Sequence, residues 1–119
     1  MNVLVTGGAG YIGSHVVLEL CEKGYNVIVL DDLSLGNESS IDRRAEFIFG
    51  STHDQKLLST IMNDIEAVIH LAAFKAAGES MKNPTKYSFN NIAGSISLIN
   101  SMLKNNTKKM ILMENANVF

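Results

Sequence analysis

Hydrophobic residues occur along the chain in five short runs, separated by stretches in which apolar residues recur at helical spacing. Near-continuous apolar runs, such as the first, are typical of parallel strands buried on both faces. Strands that alternate with helices favour a parallel sheet with right-handed crossovers and helices on both faces. The five predicted strands are Asn2–Thr6, Asn26–Leu30, Glu46–Gly50, Ala67–Ala72 and Lys109–Met113.

Three helices are predicted between these strands. In the first, Ile12, Val16 and Leu20 recur at helical spacing, and Gly24 is a natural stop. Asp54 is the expected N-cap of the second helix, which carries Leu57, Leu58, Ile61 and Met62 on one side. The third begins with Asn83 as N-cap and Pro84 at the first helical position. Its apolar stripe consists of Ile92, Ile96, Ile99 and Leu103. The polar segment 33–44 is expected to be a loop with one helical turn.

A glycine-rich turn follows the first predicted strand and opens the first helix. Gly8, Gly10 and Gly13 fit the spacing G-x-G-x-x-G, and Gly7, Gly10 and Gly13 also fit G-x-x-G-x-x-G. In a strand–turn–helix context, these glycines provide a tight turn, room for a pyrophosphate and close helix–strand packing. Backbone N–H groups and the positive helix end favour an anion there. The turn therefore predicts a dinucleotide site.

An acidic residue stands where the dinucleotide fingerprint requires one. Asp31 closes the second predicted strand, 18 residues beyond Gly13. A carboxylate there accepts hydrogen bonds from a ribose diol and repels a 2′-phosphate, which favours NAD over NADP. No arginine follows until Arg43, too far along to indicate a phosphate clamp.

Together these features predict an α/β fold: a doubly wound, Rossmann-like parallel sheet of about five strands in the order 3-2-1-4-5. The ligand is expected at the carboxyl ends of the strands, near the switch between strands 1 and 4. This order leaves strand 5 at an edge, and the segment 110–113 is apolar and uncharged. Because an unpaired apolar edge promotes association, a homo-oligomer formed through the fifth strand is expected.

Composition narrows the class of protein further. A length of 119 residues fits one domain, here 1–119, and a net charge of −2 gives no electrostatic footprint for nucleic acid. The start of the chain is unlike a secretory signal, and no run approaches the ~18 apolar residues of a membrane span. A single cysteine, Cys21, indicates a reducing compartment, and a cytoplasmic location is expected. The three histidines lack metal-ligand spacing, so no metal is expected.

Three segments carry a family resemblance. Val3–His15, Val68–Ser80 and Pro84–Gly94 together resemble the amino-terminal portion of the UDP-glucose 4-epimerase family, part of the extended short-chain dehydrogenases/reductases. The resemblance implies an NAD-binding domain, a UDP-sugar as substrate and a role in galactose metabolism. It implies reversible oxidation at the sugar C4, in which hydride passes to NAD and returns to the opposite face of a 4-keto intermediate.

The resemblance also places cofactor contacts along the chain. It implies that Tyr11 and Ile12 offer backbone to the pyrophosphate and that Asn90 contacts the cofactor from the long helix. The residues that would surround the adenosine ribose are Asp31, Asp32, Leu33, Ser34, Leu35 and Gly36, while Ser51 and Thr52 would border adenine. The segment after strand 4 would line the cofactor with Leu71, Ala72, Ala73, Phe74 and Lys75, the lysine near the ribose hydroxyls.

The sequence departs from the family at the catalytic residues. In the family the base is the Tyr of a Tyr-x-x-x-Lys, assisted by a Ser after strand 5. The residues four positions beyond Tyr11, Tyr25 and Tyr87 are His15, Val29 and Asn91, and Asn115 stands where the serine would be. Ser51 replaces the usual acidic residue on the adenine side, which is expected to weaken cofactor binding.

The carboxyl-terminal substrate lobe is also missing from these 119 residues. Three interpretations stay open: a truncated, inactive NAD-binding relative, a non-catalytic NAD-binding or regulatory module, and half of an enzyme completed in trans.

Overall fold

In the computed structural model, which describes residues 1–34, 36–71, 84–107 and 109–112, five parallel strands form one sheet. The strands are β1 (Asn2–Thr6), β2 (Asn26–Asp31), β3 (Glu46–Phe49), β4 (Ala67–His70) and β5 (Lys109–Leu112). Their spatial order is β3-β2-β1-β4-β5, and every neighbouring pair is parallel. The predicted fold class and strand order are therefore confirmed.

Within the described residues, three α-helices connect the strands: α1 (Tyr11–Glu22), α2 (Gln55–Ile61) and α3 (Pro84–Lys104). The side chain of Asp54 caps α2 by accepting a hydrogen bond from the Leu57 amide at 3.1 Å, as the sequence predicts. The loop after β2 contains one short 3₁₀ turn, Glu38–Ser40, which matches the helical turn expected there. Asn83, the expected N-cap of α3, lies outside the described residues.

Two hydrophobic clusters cover opposite faces of the sheet because successive residues of a strand point to opposite sides. Val3 and Val5 pack with Val17 and Cys21 of α1 on one face. Leu4, between them, lies in the cluster on the other face, under α2 and α3. Helices on both faces make the sheet doubly wound, and the carboxyl ends of β1 and β4 meet at the point where the chain changes direction across the sheet.

The buried side of each of these two helices is displaced from the apolar stripe read from the sequence, although Val16 and Leu20 of the α1 stripe still pack against the cluster on that face. In α1 the fully buried residues are Gly13, Val17 and Cys21, one position beyond the predicted set. In α3 the buried side is formed by Gly94, Leu98, Ser101 and Met102. Of the predicted stripe, Ile96, Ile99 and Leu103 are exposed instead, and the Ile92 side chain lies outside the described residues. On both buried sides, small residues stand next to the large apolar residues Val17, Leu98 and Met102, and these small residues add little to a hydrophobicity pattern.

Candidate nucleotide-binding site

The amino-terminal end of α1 presents unpaired backbone donors at the carboxyl edge of the sheet. The first hydrogen bond of the helix runs from the Ser14 amide to the Gly10 carbonyl at 2.8 Å. The amides of Tyr11, Ile12 and Gly13 make no hydrogen bond within the described part of the chain. No side chain caps this helix, and the Tyr11 side chain is 82% exposed. Helix ends with such orphan donors and a positive dipole bind anions.

Two glycines hold the backbone of this turn in place. A Cβ atom at Gly13 would lie 2.2 Å from the Gly7 carbonyl oxygen, so only glycine lets α1 approach the turn this closely. A Cβ atom at Gly36 would lie 2.1 Å from the Ala9 carbonyl oxygen and 2.9 Å from the Gly10 nitrogen. The loop that follows β2 therefore lies directly against the glycine turn, and the two segments form one surface.

Asp31 joins these two segments through its carboxylate. Its Oδ2 accepts a hydrogen bond from the Ala9 amide at 2.9 Å, and its Oδ1 accepts one from the Leu33 amide at 2.8 Å. Leu33 has a positive φ of 62°, a conformation uncommon for a branched residue, and the Asp31 bond supports it. Each carboxylate oxygen keeps acceptor capacity, since it has more than one lone pair. The half-buried carboxylate is thus aimed at the glycine turn.

The loop after β3 is tied to α2 and α3. The Ser51 hydroxyl accepts a hydrogen bond from the His53 amide at 3.1 Å. Thr52 is buried, and its Oγ1 would lie 2.7 Å from a Cβ atom at Gly94 of α3. Gln55 Nε2 donates to the Ser97 carbonyl at 2.8 Å. The Thr52 side chain therefore packs under α3, so contacts from Thr52 to a ligand would come from the backbone.

The ends of β1 and β4 are joined by buried polar contacts that the sequence does not reveal. The Leu71 amide donates to the Thr6 carbonyl at 2.8 Å. His70 Nδ1 lies 2.5 Å from Thr6 Oγ1, and its Nε2 lies 3.0 Å from Ser95 Oγ. These partners are 64 and 25 residues away in the chain, which is why no local pattern signals them. Desolvation lowers the pKa of His70 to about 4, so its ring is neutral at pH 7.

The structure brings one group of predicted residues together and leaves others undescribed. The glycine turn and the start of α1 lie at one edge of the sheet together with Asp31, Leu33 and Gly36. The Leu71 side chain, in contrast, is buried in the cluster under α1. Asn90 lies in α3, where only the backbone is described. The predictions for Leu35, Ala72, Ala73, Phe74, Lys75 and Asn115 lie outside the described residues.

Among the residues that the structure describes, no group of three or more His, Cys, Asp or Glu side chains could hold a metal ion. Within the same ranges, no helix combines the length and the apolar character needed to cross a membrane.

The sheet order, the glycine turn and the acidic residue at the end of β2 together define a Rossmann-like domain of the dinucleotide-binding class. Comparison with known proteins identifies the family within this class. The model of the NAD dependent epimerase/dehydratase family matches residues 3–119, and the chain belongs to this family.

Similar proteins include several UDP-glucose 4-epimerases. The enzyme of Lactobacillus helveticus is 46% identical over 118 residues, which cover 98% of this chain and 36% of the relative. The enzyme of Yersinia enterocolitica is 44% identical over 128 residues, which cover 100% of this chain and 38% of the relative. The crystal structure of the Bifidobacterium longum enzyme in complex with NAD⁺ and UDP superimposes with a TM-score of 0.90 at 36% identity, over 98% of this chain and 37% of that one. The chain therefore spans little more than a third of the length of these relatives and corresponds to their amino-terminal portion.

Proposed function

We propose that these 119 residues bind NAD, with the pyrophosphate on the amides of Tyr11, Ile12 and Gly13 and the adenosine ribose on Asp31. The observation that carries the proposal is the row of helix amides that have no partner among the described residues, beside a carboxylate that is already held in place. Because Asp31 is fixed by two backbone donors, a ribose diol meets an ordered acceptor and little side-chain entropy is lost on binding.

The same carboxylate supports a preference for NAD over NADP. A 2′-phosphate would be placed next to a negative charge that cannot move away without breaking its bonds to Ala9 and Leu33. Arg44 is already engaged, since its guanidinium is paired with Asp42 and Glu22. The family description and NAD⁺ in the Bifidobacterium longum structure agree with this choice of cofactor.

NAD supplies hydride transfer when it is bound, and the residues described above bind and orient it. We further propose that these residues alone do not epimerise a UDP-sugar. A phenol with an unperturbed pKa of about 10 is a poor base at neutral pH without help, and no Tyr-x-x-x-Lys occurs in this sequence. UDP-glucose interconversion is expected only when a Tyr and a Lys are supplied, either on the same polypeptide or by a second one. A cytoplasmic location and a role in galactose metabolism stay predictions.

Calorimetric titration of the purified chain with NAD and with NADP tests the binding proposal. Asp31→Asn keeps the shape of the side chain but removes its charge and replaces one of its two acceptor oxygens by a donor. We therefore expect NAD to bind roughly tenfold more weakly and the preference over NADP to shrink. The matched control is Asp64→Asn, an exposed residue near the amino end of β4. Wild-type affinity in the Asp31 variant, or equal affinities of the wild type for NAD and NADP, would contradict the assignment of the ribose site.

Epimerase assays separate the half-enzyme from the two inactive interpretations. The chain alone is expected to show no turnover of UDP-galactose. Turnover that appears only after addition of a polypeptide carrying Tyr-x-x-x-Lys would favour the half-enzyme, whereas NAD binding without turnover in either mixture fits both the truncated relative and the binding or regulatory module. Turnover by the chain alone would show that the absent Tyr-x-x-x-Lys is not required.

A further inference from the structure

A buried polar chain lies on the face of the sheet covered by α3, beside the proposed NAD site. Thr6 and His70 are the last residues of β1 and β4, and they are partners in the parallel register. Both are almost completely buried, with exposures of 0% and 2%. Burying a polar group costs stability unless the group is hydrogen-bonded, so the partners of the Thr6 and His70 side chains need to be identified.

The contacts favour one tautomer of the His70 ring. Thr6 Oγ1 accepts a hydrogen bond from the Leu71 amide at 3.2 Å. If the hydroxyl also accepted from the ring, its own buried proton would have no acceptor among the described residues, so we infer that it donates to His70 Nδ1. A neutral imidazole has one acceptor and one donor nitrogen, so Nε2 then holds the proton and donates it to Ser95 Oγ at 3.0 Å. In this arrangement Thr6, His70 and Ser95 form a continuous chain from β1 through β4 to α3.

Thr6 and His70 each adjoin a residue of the segments proposed to meet the dinucleotide. Thr6 directly precedes Gly7, the first residue of the glycine turn, and Leu71 directly follows His70. The Leu71 amide is held by the carbonyl and the hydroxyl of Thr6 together. A change in the spacing of Thr6 and His70 would therefore move the glycine turn relative to Leu71.

We propose that His70, as its neutral Nε2–H tautomer, is a positioning residue that fixes the separation of the carboxyl ends of β1 and β4. This separation sets the opening in which the dinucleotide crosses the sheet, so the inference rests on the proposed function. Ser95 holds the ring from α3, and Thr6 transmits its position to the glycine turn.

Isosteric removal of one hydroxyl tests the proposal. Thr6→Val keeps the shape of the side chain but leaves His70 Nδ1 without a donor, and we expect NAD affinity to fall about three- to tenfold. The conservative variant Thr6→Ser keeps the hydroxyl and should retain wild-type affinity. The matched control is Thr107→Val, since Thr107 is equally buried and its hydroxyl donates to the Ile65 carbonyl at 3.2 Å, near the amino ends of β4 and β5. All titrations are made at a temperature at which circular dichroism shows each variant to be folded.

The control distinguishes positioning from stabilisation. We expect Thr107→Val to lower the melting temperature but leave the NAD dissociation constant unchanged. If Thr6→Val also changes only the melting temperature, the residue contributes to stability alone and the proposal is overturned.

If the wild-type chain binds no NAD, a second measurement still tests the positioning role of His70. That result would refute the proposed function, whereas the ¹⁵N chemical shifts of the His70 ring still report its tautomer. A protonated Nε2 together with faster exchange of the Leu71 amide in Thr6→Val would support the fixed spacing of β1 and β4. A protonated Nδ1, or unchanged exchange, would overturn it.

Discussion

At the scale of single residues, His70 is a buried residue whose ring can also take up a proton, so its protonation couples the stability of the chain to pH. Burial lowers the pKa of His70 to about 4, whereas an unfolded chain has the ordinary value of about 6.5. Between these values the unfolded state binds the proton more readily, so stability is complete above pH 6.5 and falls as the pH decreases towards 4. The shift corresponds to a loss of about 3 kcal/mol.

Urea unfolding at pH 7.5 and at pH 4.5 measures this loss. In His70→Gln the histidine contribution to the pH dependence should disappear, while His53→Gln, which alters an exposed ring, should retain it. Equal pH dependence in wild type and His70→Gln would show that the buried ring is not the group responsible.

Asp31 and His70 also show what could be predicted at the residue scale. The position of Asp31 was predictable because its distance from the glycine turn follows from a strand–turn–helix–strand unit of fixed size. The Thr6–His70–Ser95 chain was not, because its members meet only after the sheet has formed. The Ala9 amide, which holds Asp31, was missed for the same reason.

At the scale of elements, two glycines of the turn before α1 are expected to have different roles. Gly13 is required for folding, and Gly10 is required for binding. A Cβ atom at Gly13 would collide with the Gly7 carbonyl, whereas one at Gly10 would meet only that oxygen, at an ordinary 3.7 Å. Gly10 also has φ −76°, which alanine adopts without strain. We therefore expect Gly13→Ala to cost about 2 kcal/mol or more, and Gly10→Ala to change stability by at most about 1 kcal/mol.

NAD binding should respond differently to the two substitutions. Gly10 is the second glycine of the G-x-G-x-x-G spacing, the one that leaves room for the pyrophosphate. Calorimetry is expected to show strongly reduced NAD affinity in Gly10→Ala although its melting curve stays close to that of the wild type. Unchanged affinity in this variant would place the pyrophosphate elsewhere.

The edge strand β5 leads to a prediction about assembly. It pairs only with β4 in the described sheet, and Ile111 is 58% exposed on it. If association occurs through this strand, Ile111→Lys should shift the chain towards monomer in analytical ultracentrifugation. Phe49→Lys, on the opposite edge strand β3, is the matched control. A dimer unaffected by the β5 substitution would contradict oligomerisation through β5.

The elements themselves were largely predictable, whereas the sides on which the helices pack were not. Strand β1 has the predicted bounds, and Asp54 caps α2 as expected. In α1 and α3, however, glycine, cysteine and serine occupy buried positions beside larger apolar residues that stay exposed. Small side chains at these positions permit close packing against the sheet but add little to a hydrophobic pattern. The hydrophobic stripe alone therefore indicated a neighbouring side of each helix.

At the scale of the whole molecule, the fold positions the site because the sheet order brings β1, β2 and β4 side by side. The glycine turn follows β1, Asp31 ends β2 and Leu71 follows β4, so three segments distant in sequence share one edge. This placement was predictable once the strands and their parallel order were known. Membership in the NAD dependent epimerase/dehydratase family agrees with it.

The central claim is that the backbone amides at the start of α1 hold the diphosphate of NAD. Titration of ¹⁵N-labelled chain with NAD, followed by amide chemical shifts, measures this at the atoms concerned. We expect saturable shifts at Tyr11, Ile12, Gly13 and Leu33, with small changes at Asp64 near the amino ends of the strands. Absent shifts at the first turn of α1, or saturable shifts confined to another part of the sheet, would contradict the claim.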